Sequence, residues 1–227
     1  MNANSATSHH WSRAARSAFV ASTAVVVLLH VLRPDLDPVQ RRLSEYAVGR
    51  FGWLMTTAFV LFGAGLFALS RGVRSAGALT PTMRLVRVLL IIAGIGMTLS
   101  GVFETQPGPP VVQWREIVHS QASALAFVAL IASALLTATA ARTAMDWGPS
   151  RRAADVITAL ATGSAVISPM THDGPWAGLV QRSSYVAVVC WLLLATAAAA
   201  RSGATAASDD VAASAAASDP RRRPPIR

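Results

Sequence analysis

The chain has no lysine, a single cysteine, two tyrosines and two asparagines among its 227 residues, and only 14% of it is charged. Each shortage removes a class of explanation. An ordinary soluble domain carries roughly 25% charged residues, so the low charge and the 53% hydrophobic content point to a membrane. The lone Cys190 excludes an internal disulfide and, set in an apolar run, reads as a small buried hydrophobe rather than a redox thiol. With every one of the 20 basic residues an arginine and alanine abundant, the usage fits a GC-rich coding sequence and so a bacterial source.

Missing motifs exclude further chemistry. The chain holds no H-E-x-x-H, no H-x-x-x-H and no cysteine pair, so zinc is not expected, although His119, His172, Asp173 and Glu104 carry suitable donor atoms. Haem ligation would need two histidines facing each other at one depth. There is no Gly-rich phosphate loop and no G-x-S-x-G elbow, and no cofactor is expected. Neither internal repeats nor carboxylates near a span centre argue for a transporter. The net charge of +9 sits in short arginine clusters between apolar runs, which is topology signal rather than a nucleic-acid surface.

What the sequence does contain is apolar length. Six segments free of Arg, Asp and Glu, at 17–32, 51–70, 88–103, 117–141, 156–171 and 183–200, approach or reach the roughly 20 residues a membrane helix needs once flanking residues extend the shorter ones. The first follows Arg13 and Arg16 as a signal peptide would, yet no small-x-small cleavage site follows it and Pro34 and Pro38 close it, so it reads as a retained helix. The expected fold is an all-α integral membrane bundle of six spans: a cytoplasmic segment at 1–14, the bundle at 15–200 and a disordered cytoplasmic tail at 201–227. Of the arginines near the spans, ten lie on the side of the N-terminus and six on the other, which by the positive-inside bias sets both termini in the cytoplasm. Trp53, Trp114 and Trp176 fall at outer ends, Trp11 and Trp147 at inner ends, and Trp191 in mid-span. Gly63, Gly65, Gly94 and Gly96 read as close helix contacts.

Polar residues collect on the outer side. The stretch 30–50, HVLRPDLDPVQRRLSEYAVGR, carries four arginines, three carboxylates and a histidine between two apolar runs, and the loops ETQPGPPVVQWREIVH and THDGPWAGLVQR share its side. One reading makes a pocket there from Glu45, His119, Gln181, Arg182 and Asp173, with Tyr46, Trp53 and Arg115 completing the binding surface. Glu45 beside aromatic walls would have a raised pKa and act as an acid, Asp173 with His172 would be a second acid or base, and His119 would shuttle the proton. The competing reading is structural: Glu45 pairs with Arg182 or Arg115, and Asp35 and Asp37 pair with Arg33, Arg41 or Arg42.

The motifs LRPDLDP, LSEYAVGRFGWLM, REIVHSQAS and GLVQRSSYVAVVCWLLLA resemble those of the DUF998 family of bacterial and archaeal six-helix membrane proteins. The resemblance covers about residues 15–200 and implies a six-helix bundle with no established activity. Where similar proteins tend to read Phe-Pro-Thr-Asp, this chain reads Phe103-Glu104-Thr105-Gln106, leaving Glu104 two residues from the usual acid. The expected partners are the lipid bilayer and an apolar small molecule. The functional expectation is that the outward pocket binds a lipid or similar molecule; the alternatives are acid-base chemistry on an isoprenoid or lipid, and a structural subunit of a membrane complex.

Overall fold

The computed structural model describes residues 3–75, 80–103, 114–171 and 174–218, and among these the structure is all-α. Six α-helices follow in chain order: α1 (Ala3–Leu32), α2 (Gly52–Ser75), α3 (Pro81–Val102), α4 (Trp114–Ala138), α5 (Arg151–Ile167) and α6 (Ala177–Ser218). Every expected apolar segment contributes to one of them. Five, all but α5, are long and apolar enough to cross a membrane. α5 has 17 residues and opens on Arg151 and Arg152, so the expectation of six spans is met as six helices with five clear span candidates.

Local chemistry fixes the boundaries. α3 starts where Thr80 caps it, its Oγ1 accepting from Met83 N at 3.2 Å, with Pro81 in the first turn, where its missing N–H costs nothing. α4 ends where Arg151 reaches back to donate to Ala138 O at 2.9 Å and Thr137 O at 3.2 Å, a cation on carbonyls that the helix itself leaves unpaired. Asp155 holds that arginine in place at 2.8 Å. α6 runs through Ser218, past the boundary at 201 where a disordered tail was expected. Its run after Arg201 is dominated by alanine, the strongest helix former.

Consecutive helices pack antiparallel, α1 on α2, α2 on α3 and α3 on α4, and α6 closes the bundle against α1 and α5. At one end, called here the loop end, the 33–51 loop meets the starts of α2 and α6, and the end of α3 meets the start of α4. Small residues let the helices approach. A Cβ on Gly96 of α3 would stand 2.6 Å from Ala122 O of α4, so only glycine permits that crossing. Hydroxyls also tie helices together: Ser22 Oγ donates to Ala58 O at 2.8 Å, and Ser123 Oγ to Ser100 Oγ at 2.8 Å.

The tryptophans divide as their positions suggest. Trp53, Trp114 and Trp176 are exposed at the loop end, where an indole suits a membrane interface, while Trp191 is buried in the core. Trp147, expected at the inner interface, is instead buried, beneath Arg151, whose guanidinium lies 5.7 Å from its ring. Cys190, expected to be buried, is exposed on α6.

One contact in the ring is weak. α5 packs mainly on α6 and touches α4 far less, and its buried positions, Ala154, Thr158 and Ala161, all lie in its first eleven residues. Beyond them a Cβ on Gly163 would meet nothing within 4 Å. α4 and α5 are therefore held together at the Arg151 end and separate toward the loop end.

Candidate functional site

The charges of the 33–51 loop are mostly spent on folding the loop. Arg33 grips Asp35 through Nε and Nη2, both at 2.9 Å, and sends Nη1 to Val48 O at 2.7 Å, which ties the start of the loop to its end. Those hydrogen bonds from Arg33 hold the Asp35 carboxyl below its usual range. Asp37 Oδ1 accepts from Val39 N at 2.8 Å in a local turn.

Glu45 is held in the same manner. The short 3₁₀ turn Leu43–Ala47 begins after Arg42, and Glu45 Oε1 accepts from Arg42 N at 3.0 Å, the reciprocal half of a capping box. Arg41 and Arg42 approach its carboxylate at 3.4 Å each, rather than the Arg182 or Arg115 of the structural expectation. Replacing Glu45 with glutamine should shift stability by less than about 1 kcal/mol, because the amide oxygen still accepts from Arg42 N and the Arg41 side chain is largely solvated. Thermal melting in detergent checks this, and loss of folded protein in that variant would contradict it.

Behind the loop lies a second cluster. Arg182, near the start of α6, donates from Nε to His30 Nε2 at 2.9 Å and from Nη1 to Arg41 O at 2.7 Å and Gly178 O at 3.1 Å. His30 uses Nδ1 on Val26 O at 2.8 Å, so Nδ1 carries the proton and Nε2 presents its lone pair to Arg182. Tyr46 is buried against both, its ring 4.9 Å from the imidazole and 5.4 Å from the guanidinium, with its hydroxyl on Leu36 O at 3.2 Å. Gly178 permits this closeness, since a Cβ there would stand 2.4 Å from Arg41 O and 2.6 Å from Pro38 O. The cluster fastens the loop to α6.

Where α4 and α5 separate, a cavity of about 890 Å³ opens, near the upper end of the size range of small-molecule sites. Its wall on α4 runs from Glu116 to Leu135, and α5, α6, the tip of the 33–51 loop, Phe59 of α2 and Met97 of α3 supply the rest. Polar groups gather at the loop end: Ser44, Glu116, His119, Ser123 and Gln181. Apolar residues such as Phe127, Ile131, Leu135 and Val166 dominate the remainder, with Thr162 among them. Val128 and Val166, on the two separated helices, line the cavity and are both exposed. The space thus communicates sideways with the bundle surface.

His119 is buried at the polar end. Its Nδ1 lies 2.9 Å from Ser100 O in the last turn of α3 and 2.8 Å from the O of Phe103, the residue that follows the helix. Two acceptors on one nitrogen require the proton to be there, and in the neutral ring Nε2 then bears a lone pair. Gln181 Oε1 accepts from Leu43 N, which fixes the amide orientation and makes its NH₂ a donor with no partner among the described residues.

Of the residues expected to form the pocket, His119 and Gln181 line the cavity. Glu45, Tyr46 and Arg182 belong to the loop fastening instead. Trp53 is exposed on the perimeter, and Arg115 is exposed with its guanidinium 5.5 Å from the Trp114 ring. Asp173, His172 and Glu104 lie outside the described residues. Among the described residues no three His, Cys, Asp or Glu side chains converge on one point. The cavity wall itself was readable as the run Glu116, Ser120, Ser123, Phe127, Ile131 and Leu135, one helical face passing from polar to apolar.

No curated protein and no solved structure matches the chain. The sequence profile of the protein family of unknown function DUF998 matches residues 17–198, and the chain belongs to that family.

Proposed function

We propose that this membrane protein binds a lipid or another apolar small molecule in the cavity between α4 and α5, and that the ligand reaches it from within the bilayer. The observation that carries the reading is the lateral opening: an apolar space bounded by Val128 and Val166, both exposed to the surroundings of the bundle. In a bilayer an unfilled space of about 890 Å³ would forfeit dispersion contacts along its whole lining, so a hydrocarbon occupant is favoured. α5 acts as the sixth span, and the loop end faces away from the cytoplasm, since six arginines lie at that end and ten at the other.

Binding is favoured over acid-base catalysis because the carboxylate expected to serve as the acid, Glu45, is held by Arg42 N and by Arg41 and Arg42 and does not line the cavity. A diffusible apolar photoprobe in protein-containing nanodiscs tests the reading. Half-buried Phe127 and Ile131 should be labelled in the wild type and protected in Ala132→Trp, while Val20 and Val31 on the outer face of α1 label equally in both. Equal labelling of Ile131 in the two proteins would refute the site.

A further inference from the structure

We infer that the occupant of this cavity is a single-chain amphiphile with a small oxygen headgroup, a long-chain fatty acid or fatty alcohol; the inference rests on the reading that the cavity takes an apolar ligand from the bilayer. A ligand leaving lipid for an apolar cavity gains little from its hydrocarbon, because the lipid tails it leaves are equally apolar. Selectivity must then come from cavity shape and from the polar end.

Shape suits a single chain. Glu116 to Leu135 spans about 28 Å of helix at ~1.5 Å per residue, close to the ~30 Å hydrocarbon thickness of a bilayer. Spread over that length, a cavity of about 890 Å³ has a mean cross-section of roughly 30 Å². Apolar chains in contact keep their atoms about 4 to 4.5 Å apart, so a single extended chain fits along that length with its headgroup at the polar end.

The polar end selects the headgroup. Gln181 offers its amide NH₂, and Ser44 offers a hydroxyl with no hydrogen-bond partner among the described residues, so both can donate to an oxygen. His119 Nε2 bears a lone pair, and Ser123 Oγ, having given its proton to Ser100 Oγ, also accepts. Donors and acceptors on one lining suit a group that both accepts and donates, which a hydroxyl or a carboxylic acid does and a hydrocarbon or an ester does not. The charged lining residues, Arg42 and Glu116, come one of each sign, and Arg42 already faces Glu45 at 3.4 Å. That balance gives no excess positive charge for a phosphate headgroup. The same polar groups lie at the loop end, the depth at which a bilayer holds a headgroup.

Native mass spectrometry of the purified full chain tests this, with palmitic acid, cetyl alcohol, hexadecane and dipalmitoylphosphatidylcholine competing at equal concentration. The expected result is one adduct per protein, acid or alcohol, favoured at least tenfold over hexadecane and over the two-chain lipid. Ser44→Ala and Gln181→Glu, the latter keeping the acceptor for Leu43 N, should each reduce the preference over hexadecane several-fold. Equal retention of hexadecane would overturn the headgroup assignment, and preferred retention of the two-chain lipid would overturn the single chain, both leaving an apolar site in place. Adducts undiminished in Ala132→Trp would overturn the underlying reading as well.

Discussion

Replacing Arg182 with leucine is expected to destabilise the folded protein by about 3 kcal/mol or more and to release the 33–51 loop from α6. The guanidinium supplies donors to His30 Nε2, Arg41 O and Gly178 O, and hydrogen bonds to a charged group contribute about 1.5 to 3 kcal/mol each. Leucine leaves His30 Nε2 and Arg41 O without those donors in a region closed over by buried Tyr46. Lysine should recover only part of the loss, because an ammonium cannot reach three acceptors with the planar fork of arginine. Thermal melting gives the magnitude, and trypsin gives the location: the loop carries Arg41 and Arg42, and cleavage after them should accelerate in the leucine variant. Unchanged melting and unchanged cleavage would show that the loop is held by other contacts.

His119 separates two roles that one residue combines. Alanine at this position removes the donor to Ser100 O and Phe103 O and leaves a void under the Phe59 ring, whose centroid lies 6.0 Å from the imidazole. A loss of about 2 to 4 kcal/mol is expected from the unsatisfied carbonyls and the lost packing. Asparagine offers an amide donor in place of Nδ1 and should restore most of the stability. It has no group where Nε2 stands, so a stable asparagine variant that binds palmitic acid no better than hexadecane would assign Nε2 to the headgroup. If asparagine melts as low as alanine, the donor to α3 does not explain why a histidine is buried here.

Much of the architecture was legible in the sequence, because apolar length and the arginines flanking it are local properties. The small residues Gly94 and Gly96 of α3 marked a close contact. α5 was less legible: its apolar stretch looks like its neighbours in composition, and its shortness and loose packing depend on where Arg151 and Asp155 anchor it. The site was legible only in part. His119 and Gln181 stood out as polar residues at the ends of spans. Glu45 stood out for the same reason, yet its partners proved to be Arg41 and Arg42 on its own turn, at i−4 and i−3 spacing that proximity in sequence already allowed. The pairing of Arg182 with His30, 152 residues apart, carries no local signal, and neither does a gap between two helices.

The account stands most directly on whether the gap between α4 and α5 is a saturable site. Equilibrium titration of a fluorescent single-chain fatty acid into nanodiscs bearing wild type or Ala132→Trp measures this against the background of bilayer partition. Saturable binding of one probe per wild-type chain, absent in the tryptophan variant at matched melting temperature, is the predicted result. Identical, non-saturating curves for the two proteins would contradict it, because the probe would then be responding to the bilayer alone.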